Sequence, residues 1–282
     1  MSRGKSNPPR RPSRSGSQTH AKVVRGGTRA PKASTVAKAN PKAAVKKSAA
    51  ATKPPKGYDP IAPPRVAEIL RILNQTYPNV KCALHHNNAW ELLVATILSA
   101  QCTDVRVNMV TPELFRKYPT TKHFAALQPE DLEPDIRSTG FFRNKSKSVV
   151  GAAREIVEKF GGNVPDDMDQ LLSLPGVARK TANVVLGSWF GKAEGVVVDT
   201  HVHRISRRLE LTAQNDPGKI EQDLIKILPR DKWIDYSHQV IHHGRAICVA
   251  RTPKCAQCPL ETLCHAADKT YSTVDIHSTA KP

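Results

Sequence analysis

The chain has 282 residues, 39% of them hydrophobic and 24% charged, and a formal net charge of +18 at pH 7. That length supports one large core or two modest ones. Neither a secretory apolar region nor a run long enough to span a bilayer is present, so a membrane or exported protein is not expected and the cytoplasm is.

The charge is unevenly placed. Residues 1–57 hold 15 Lys/Arg and no Asp or Glu, leaving 28 basic against 25 acidic residues for the remainder. Such a segment buries too little apolar surface to offset its ordering entropy, so 1–57 is expected to be a disordered basic tail. It suits polyanions, nucleic acid first, which predicts association with the nucleoid. A solvated solubility tail and an organellar targeting peptide are the alternatives.

After the tail, Pro63-Pro64 opens a helical pattern with Val66, Ile69, Leu70 and Leu73 on one side. Trp90 to Ala100 is apolar nearly all round and predicts a buried helix. A third helix is expected from Lys145 to Phe160, stopped by Gly161-Gly162. Further helical patterns cover 166–174, 178–190, 217–228 and 235–247. The one β-branched run, Val196-Val197-Val198, is too short to build a sheet, and the expected class is all-α.

Between two of these helices, Leu174-Pro175-Gly176-Val177-Ala178 reads as a tight turn. A helix starting at such a turn exposes unpaired N–H groups and a positive dipole end, which suits phosphate. Ala178 is strained if that position needs positive φ and well suited if it is merely the first helical residue. Lys180 falls in the first helical turn, where the dipole and burial against Ala182, Val185 and Leu186 would both disfavour its charge. It is either an amine nucleophile, which must be neutral to attack, or a plain phosphate contact. Asp199, leaving the valine run, is either a helix N-cap or a carboxylate that stabilises positive charge on a sugar.

Six cysteines are present, and four cluster as Cys248-x6-Cys255-x2-Cys258-x5-Cys264. That density predicts metal ligation, with zinc and a cubane cluster both open. Cys82 and Cys102 are expected to be buried bystanders. Histidines 85, 86, 201, 203, 238, 242 and 243 form no metalloprotease spacing and are expected to be structural or solvent-facing.

The stretch Leu-Pro-Gly-Val-Ala-Arg-Lys-Thr-Ala-Asn-Val-Val at 174–185, then Val198-Asp199-Thr200-His201, then the cysteine spacing, resembles the endonuclease III family of helix-hairpin-helix DNA glycosylases. The resemblance spans roughly residues 65 to 268. It implies a bifunctional glycosylase and abasic-site lyase that excises oxidised pyrimidines from double-stranded DNA, acting as a monomer. By the same resemblance Lys180 is the Schiff-base nucleophile and Asp199 the catalytic carboxylate. Gln101 fills the gap left by a flipped base, and Phe141 stands where an intercalating leucine is usual. Pro175, Gly176, Val177 and Ala178 grip the DNA backbone. The four cysteines hold a [4Fe–4S] cluster whose loop presents Arg251 and Lys254 to phosphate.

The resemblance further implies a six-helix barrel domain over 82–193, a cluster domain from 58–81 with 194–268, and a flexible terminus at 269–282. The adenine-specific mismatch branch lacks a lysine matching Lys180 and is disfavoured. A purely architectural DNA-binding factor is disfavoured by the presence of both Lys180 and Asp199.

Overall fold

The computed structural model describes residues 57–274. The expected basic tail, apart from Gly57, and residues 275–282 of the expected flexible terminus lie outside the described residues.

The described chain is helical throughout, with no strand among its residues. Its helices are, in order, α1 (Pro63–Thr76), α2 (Ala89–Ser99), α3 (Asp104–Lys117), α4 (Thr121–Ala125), α5 (Pro129–Ile136) and α6 (Phe142–Phe160). There follow α7 (Met168–Leu172), α8 (Arg179–Ser188), α9 (Thr200–Arg208), α10 (Pro217–Ile227) and α11 (Trp233–Ala246). None of these helices is long and apolar enough to cross a membrane.

Local chemistry sets the helix ends. Asn88 and Thr103 accept from the amides of Glu91 and Arg106 and so cap α2 and α3. Pro217 at the start of α10 and the Asp216 cap before it do the same work there. Helix α6 stops at Gly161, whose left-handed φ of 62° brings the chain back to bond Ile156.

Two hydrophobic cores organise the molecule. The first is drawn from residues 84–186, with Leu92, Leu93, Leu98, Phe124, Leu132 and Ile156 fully buried. The second joins Val66, Ile69 and Leu73 of α1 to residues between Val196 and Leu260. Each such side chain contributes about 1.5–3 kcal/mol on leaving water. Burial is the reason the α2 pattern is apolar all round: Leu92 to Leu98 are buried on every side of the helix.

Four helices lie outside the expected patterns: α3, α4, α5 and α9, of which α4, with five residues, is too short to show a helical period. Pro112 lies inside α3 and Pro134 inside α5, which breaks the pattern at the residue that ordinarily ends a helix. Helix α9 buries Ser206 and Arg208 beside Val202 and Ile205, so its inward face is half polar. The α6 helix starts three residues earlier than the pattern suggested, at Phe142.

Within the C-terminal segment, Lys269 and Thr273 bond to Glu261. Lys269 Nζ donates to Glu261 Oε1 at 2.6 Å, and the Thr273 amide donates to the same oxygen at 2.8 Å.

Candidate active site and nucleic-acid interface

The turn between α7 and α8 is built around one glycine. Gly176 has φ +76°, and a Cβ placed on it would stand 2.4 Å from Ser148 Cβ on α6. Ala178, by contrast, is the extended N-cap of α8 with φ −96°, so the strain considered for it does not arise. Pro175, Gly176 and Ala178 are exposed. Val177 is not: its side chain is buried in the first core, and it can offer a ligand only its backbone. No side chain caps the start of α8, so its first-turn amides remain available to an anion.

Lys180 sits in that first turn and is exposed. The expected burial against Ala182, Val185 and Leu186 is not seen. Those three side chains face the core, and a residue two positions before Ala182 points about 200° around the helix from it. Lys180 nevertheless lines a pocket together with Asp199, Cys82, Asp104, Ser237, His238, His242 and Arg245. Asp199 is the N-cap of α9: its Oδ1 accepts from the amides of His201 and Val202, both at 2.8 Å. The cap uses one oxygen, and Oδ2 has no protein partner among the described residues.

Several pocket residues escaped the sequence reading. Cys82 is half-buried and lines the pocket rather than standing by in the core. His238 and His242, one turn apart on α11, line it as well. Burial holds both imidazoles below their ordinary value, opposed at His238 by Asp235. Arg245 Nη2 donates to Asp104 Oδ2 at 2.5 Å, so a helix of the second core and one of the first are joined beside the pocket. The signal is the i, i+4 spacing of His238 and His242, which puts both on one face of α11.

Gln101 and Phe141 line a separate depression with Gly176 and Thr181. Both adopt left-handed backbone, φ 54° and φ 48°, and Glu210 is the one other non-glycine residue among the described residues to do so. Phe141 is 61% exposed, so it is no core aromatic.

Cys248, Cys255, Cys258 and Cys264 line one cavity with Arg208 and Lys254, and none forms a disulfide. The second and fourth of them stand at the short 3-10 turns Cys255–Gln257 and Glu261–Leu263 or directly after. Among the described residues, no three His, Cys, Asp or Glu side chains form a site for a single metal ion. The buried Arg208 donates to Cys248 Sγ at 3.2 Å and to the carbonyls of Val249 and Ala250, both at 2.9 Å, while paired with Asp268. Arg251 and Lys254 are exposed in the loop between the first two cysteines.

Comparison with known proteins places this geometry. Residues 94–230 match the HhH-GPD superfamily of base excision DNA repair proteins. Endonuclease III of Synechocystis is 55% identical over 72% of this chain and 93% of its own length. Endonuclease III of Escherichia coli K12 is 37% identical over 72% of this chain and 95% of its own length. The structure of a non-covalent endonuclease III–DNA complex superposes with a TM-score of 0.69 at 42% identity, covering 73% of this chain and 96% of that one. A trapped endonuclease III–DNA covalent intermediate gives the same TM-score of 0.69. The chain therefore belongs to the endonuclease III family of helix-hairpin-helix base excision repair proteins.

Proposed function

We propose that the protein is a DNA glycosylase and abasic-site lyase that removes oxidised pyrimidines from duplex DNA through an imine formed on Lys180. The observation that carries this reading is the shared pocket: the first turn of α8 and the cap of α9 deliver an amine and a carboxylate to one cavity.

The damaged nucleotide leaves the stack and enters this pocket, at a cost of a few kcal/mol that is smaller for a weakly paired lesion. Lys180 Nζ, once neutral, attacks C1′. The glycosidic bond breaks, and the base departs with the bonding electrons and a proton. Asp199, with Oδ2 unused by its cap, faces the positive charge that develops on the sugar, takes the amine proton and passes it to O4′ as the C1′–O4′ bond breaks, which leaves C1′ doubly bonded to Nζ. Loss of the C2′ proton from the imine then expels the 3′ phosphate. The turn at Pro175–Ala178 and the α8 amides hold the backbone, while Gln101 and Phe141 fill the vacated stack.

The four cysteines fit a [4Fe–4S] cluster. A cubane takes one thiolate on each of four irons, so its ligands surround a volume, as these do, rather than converge on one point. Cys248, Cys255, Cys258 and Cys264 would hold it, and Arg208 would balance its negative charge. When bound, the cluster supplies a rigid, negatively charged scaffold for the loop that displays Arg251 and Lys254 to phosphate.

The two cores support a reading of 82–193 as one domain and of 58–81 with 194–268 as a second, with the pocket lined from both. Borohydride trapping on a duplex with one thymine glycol tests the assignment. A covalent protein–DNA adduct is expected from the wild type and none from Lys180→Gln. Adduct formation by both proteins overturns it.

A further inference from the structure

One buried cation is not used by this chemistry. Lys145 lies in the first turn of α6, is 5% exposed, and donates to Leu98 O and Thr139 O, both at 2.8 Å. Its position is costly. Burial lowers its pKa from the ordinary lysine value, opposed by Cys102, and the N-terminal end of a helix is the wrong end for a cation. Such a group persists where it holds something that nothing else holds.

What it holds is specific. Leu98 O is one of the last carbonyls of α2, without an intrahelical partner, and lies three residues before Gln101. Thr139 ends the 3-10 turn Arg137–Thr139, two residues before Phe141. The Lys145 amide also bonds Phe141 O at 3.1 Å. One ammonium thus ties together the roots of the two segments that carry left-handed, exposed Gln101 and Phe141. Left-handed backbone in these residue types costs about 1–2 kcal/mol each and survives only where the surroundings enforce it.

We propose that Lys145 is a positioning residue for strand invasion: by bonding Leu98 O and Thr139 O it fixes Gln101 and Phe141 at the spacing needed to enter the base stack together. The inference rests on the reading of those two residues as the wedge. Lys145 touches no reacting atom, and its loss impairs extrusion of the nucleotide while leaving the chemistry on an already extruded one.

The test compares single-turnover excision of thymine glycol in a fully paired duplex and in a bubble of unpaired bases, for Lys145→Met, Phe141→Ala and Gln101→Ala. Methionine keeps the side-chain volume and removes the charge and donors. Lys145→Met is expected to be about tenfold slower on the paired duplex and within about twofold of wild type in the bubble, with Phe141→Ala and Gln101→Ala showing the same pattern. Thermal denaturation identifies a misfolded variant, in which case Lys145→Leu, which also lacks donors, takes its place with the same expectation. Equal slowing on both substrates overturns the positioning role, because general damage does not distinguish them. Normal Lys145→Met beside impaired Phe141→Ala and Gln101→Ala overturns the inference alone. No effect of Phe141→Ala and Gln101→Ala overturns the wedge reading and the inference with it.

Discussion

Arg179, which directly precedes Lys180, is fastened to Glu221 of α10: its Nε donates to both carboxylate oxygens, at 3.1 and 3.0 Å. The same carboxylate accepts from Asn183 Nδ2 at 3.0 Å and lies so close to Gly195 that any Cβ there would strike it. Both ends of the first turns of α8 are therefore anchored to the second core while Lys180 between them stays exposed. Glu221→Ala leaves the buried Asn183 amide without its acceptor and frees Arg179. A loss of about 2 kcal/mol in urea denaturation is expected, the low end for a buried pair because Arg179 reaches solvent. Glu221→Gln, which keeps an acceptor, is expected to lose about half as much.

Asp199 combines two functions that chemistry can separate. Asparagine caps a helix about as well as aspartate, whereas alanine costs about 1 kcal/mol. Asp199→Asn is expected to melt as the wild type does and to lose at least about 100-fold in single-turnover lyase rate. Asp199→Ala should show both defects. An active Asp199→Asn would remove the carboxylate from the mechanism and leave it as a cap.

Gly176→Ala meets two obstacles, a positive φ and the side chain of Ser148. Together they predict a loss of about 2–4 kcal/mol. Adding Ser148→Gly relieves the steric part alone, so the double variant should recover only a portion of that loss. Full recovery would show that the backbone conformation costs nothing there.

Acidification should destabilise the pocket wall. Burial holds His238 and His242 below their ordinary value of about 6.5, so the unfolded chain binds protons that the folded chain refuses. Stability is then full above about pH 6.5 and falls as pH drops through that value toward the folded-state pKa values. The fall is steeper than that of a variant with both replaced by Gln. Melting temperatures between pH 8 and 5 measure the difference, and parallel curves would refute it.

The legible parts of the chain were those where one physical requirement acted alone. Helix α2 announced itself because every side is buried, and α6 because a glycine pair must end it. The Leu174–Ala178 turn was readable because a left-handed Gly176 leaves a mark in any sequence. Where two requirements met, the pattern blurred. Proline inside α3 and α5 hid them, and the buried Ser206 and Arg208 of α9 look like surface residues. The pocket was half legible: Lys180 and Asp199 lie near one another in sequence, while His238, His242 and Arg245 arrive from a helix some forty residues later. The exposure of Lys180 is not legible in sequence, because Ala182, Val185 and Leu186 are its neighbours along the chain but face the other side of the helix.

Helix α1 has a consequence for the order in which the molecule is assembled. Val66, Ile69 and Leu73 leave the ribosome before any residue of the first core, yet their partners from Val196 to Leu260 leave after all of it. The first helix among the described residues must wait, apolar face bare, while an entire core folds in the interval. A released chain ending at residue 190 therefore displays a sticky amphipathic segment whose partners from Val196 onward are missing. Chaperones would find their handle on the growing protein there.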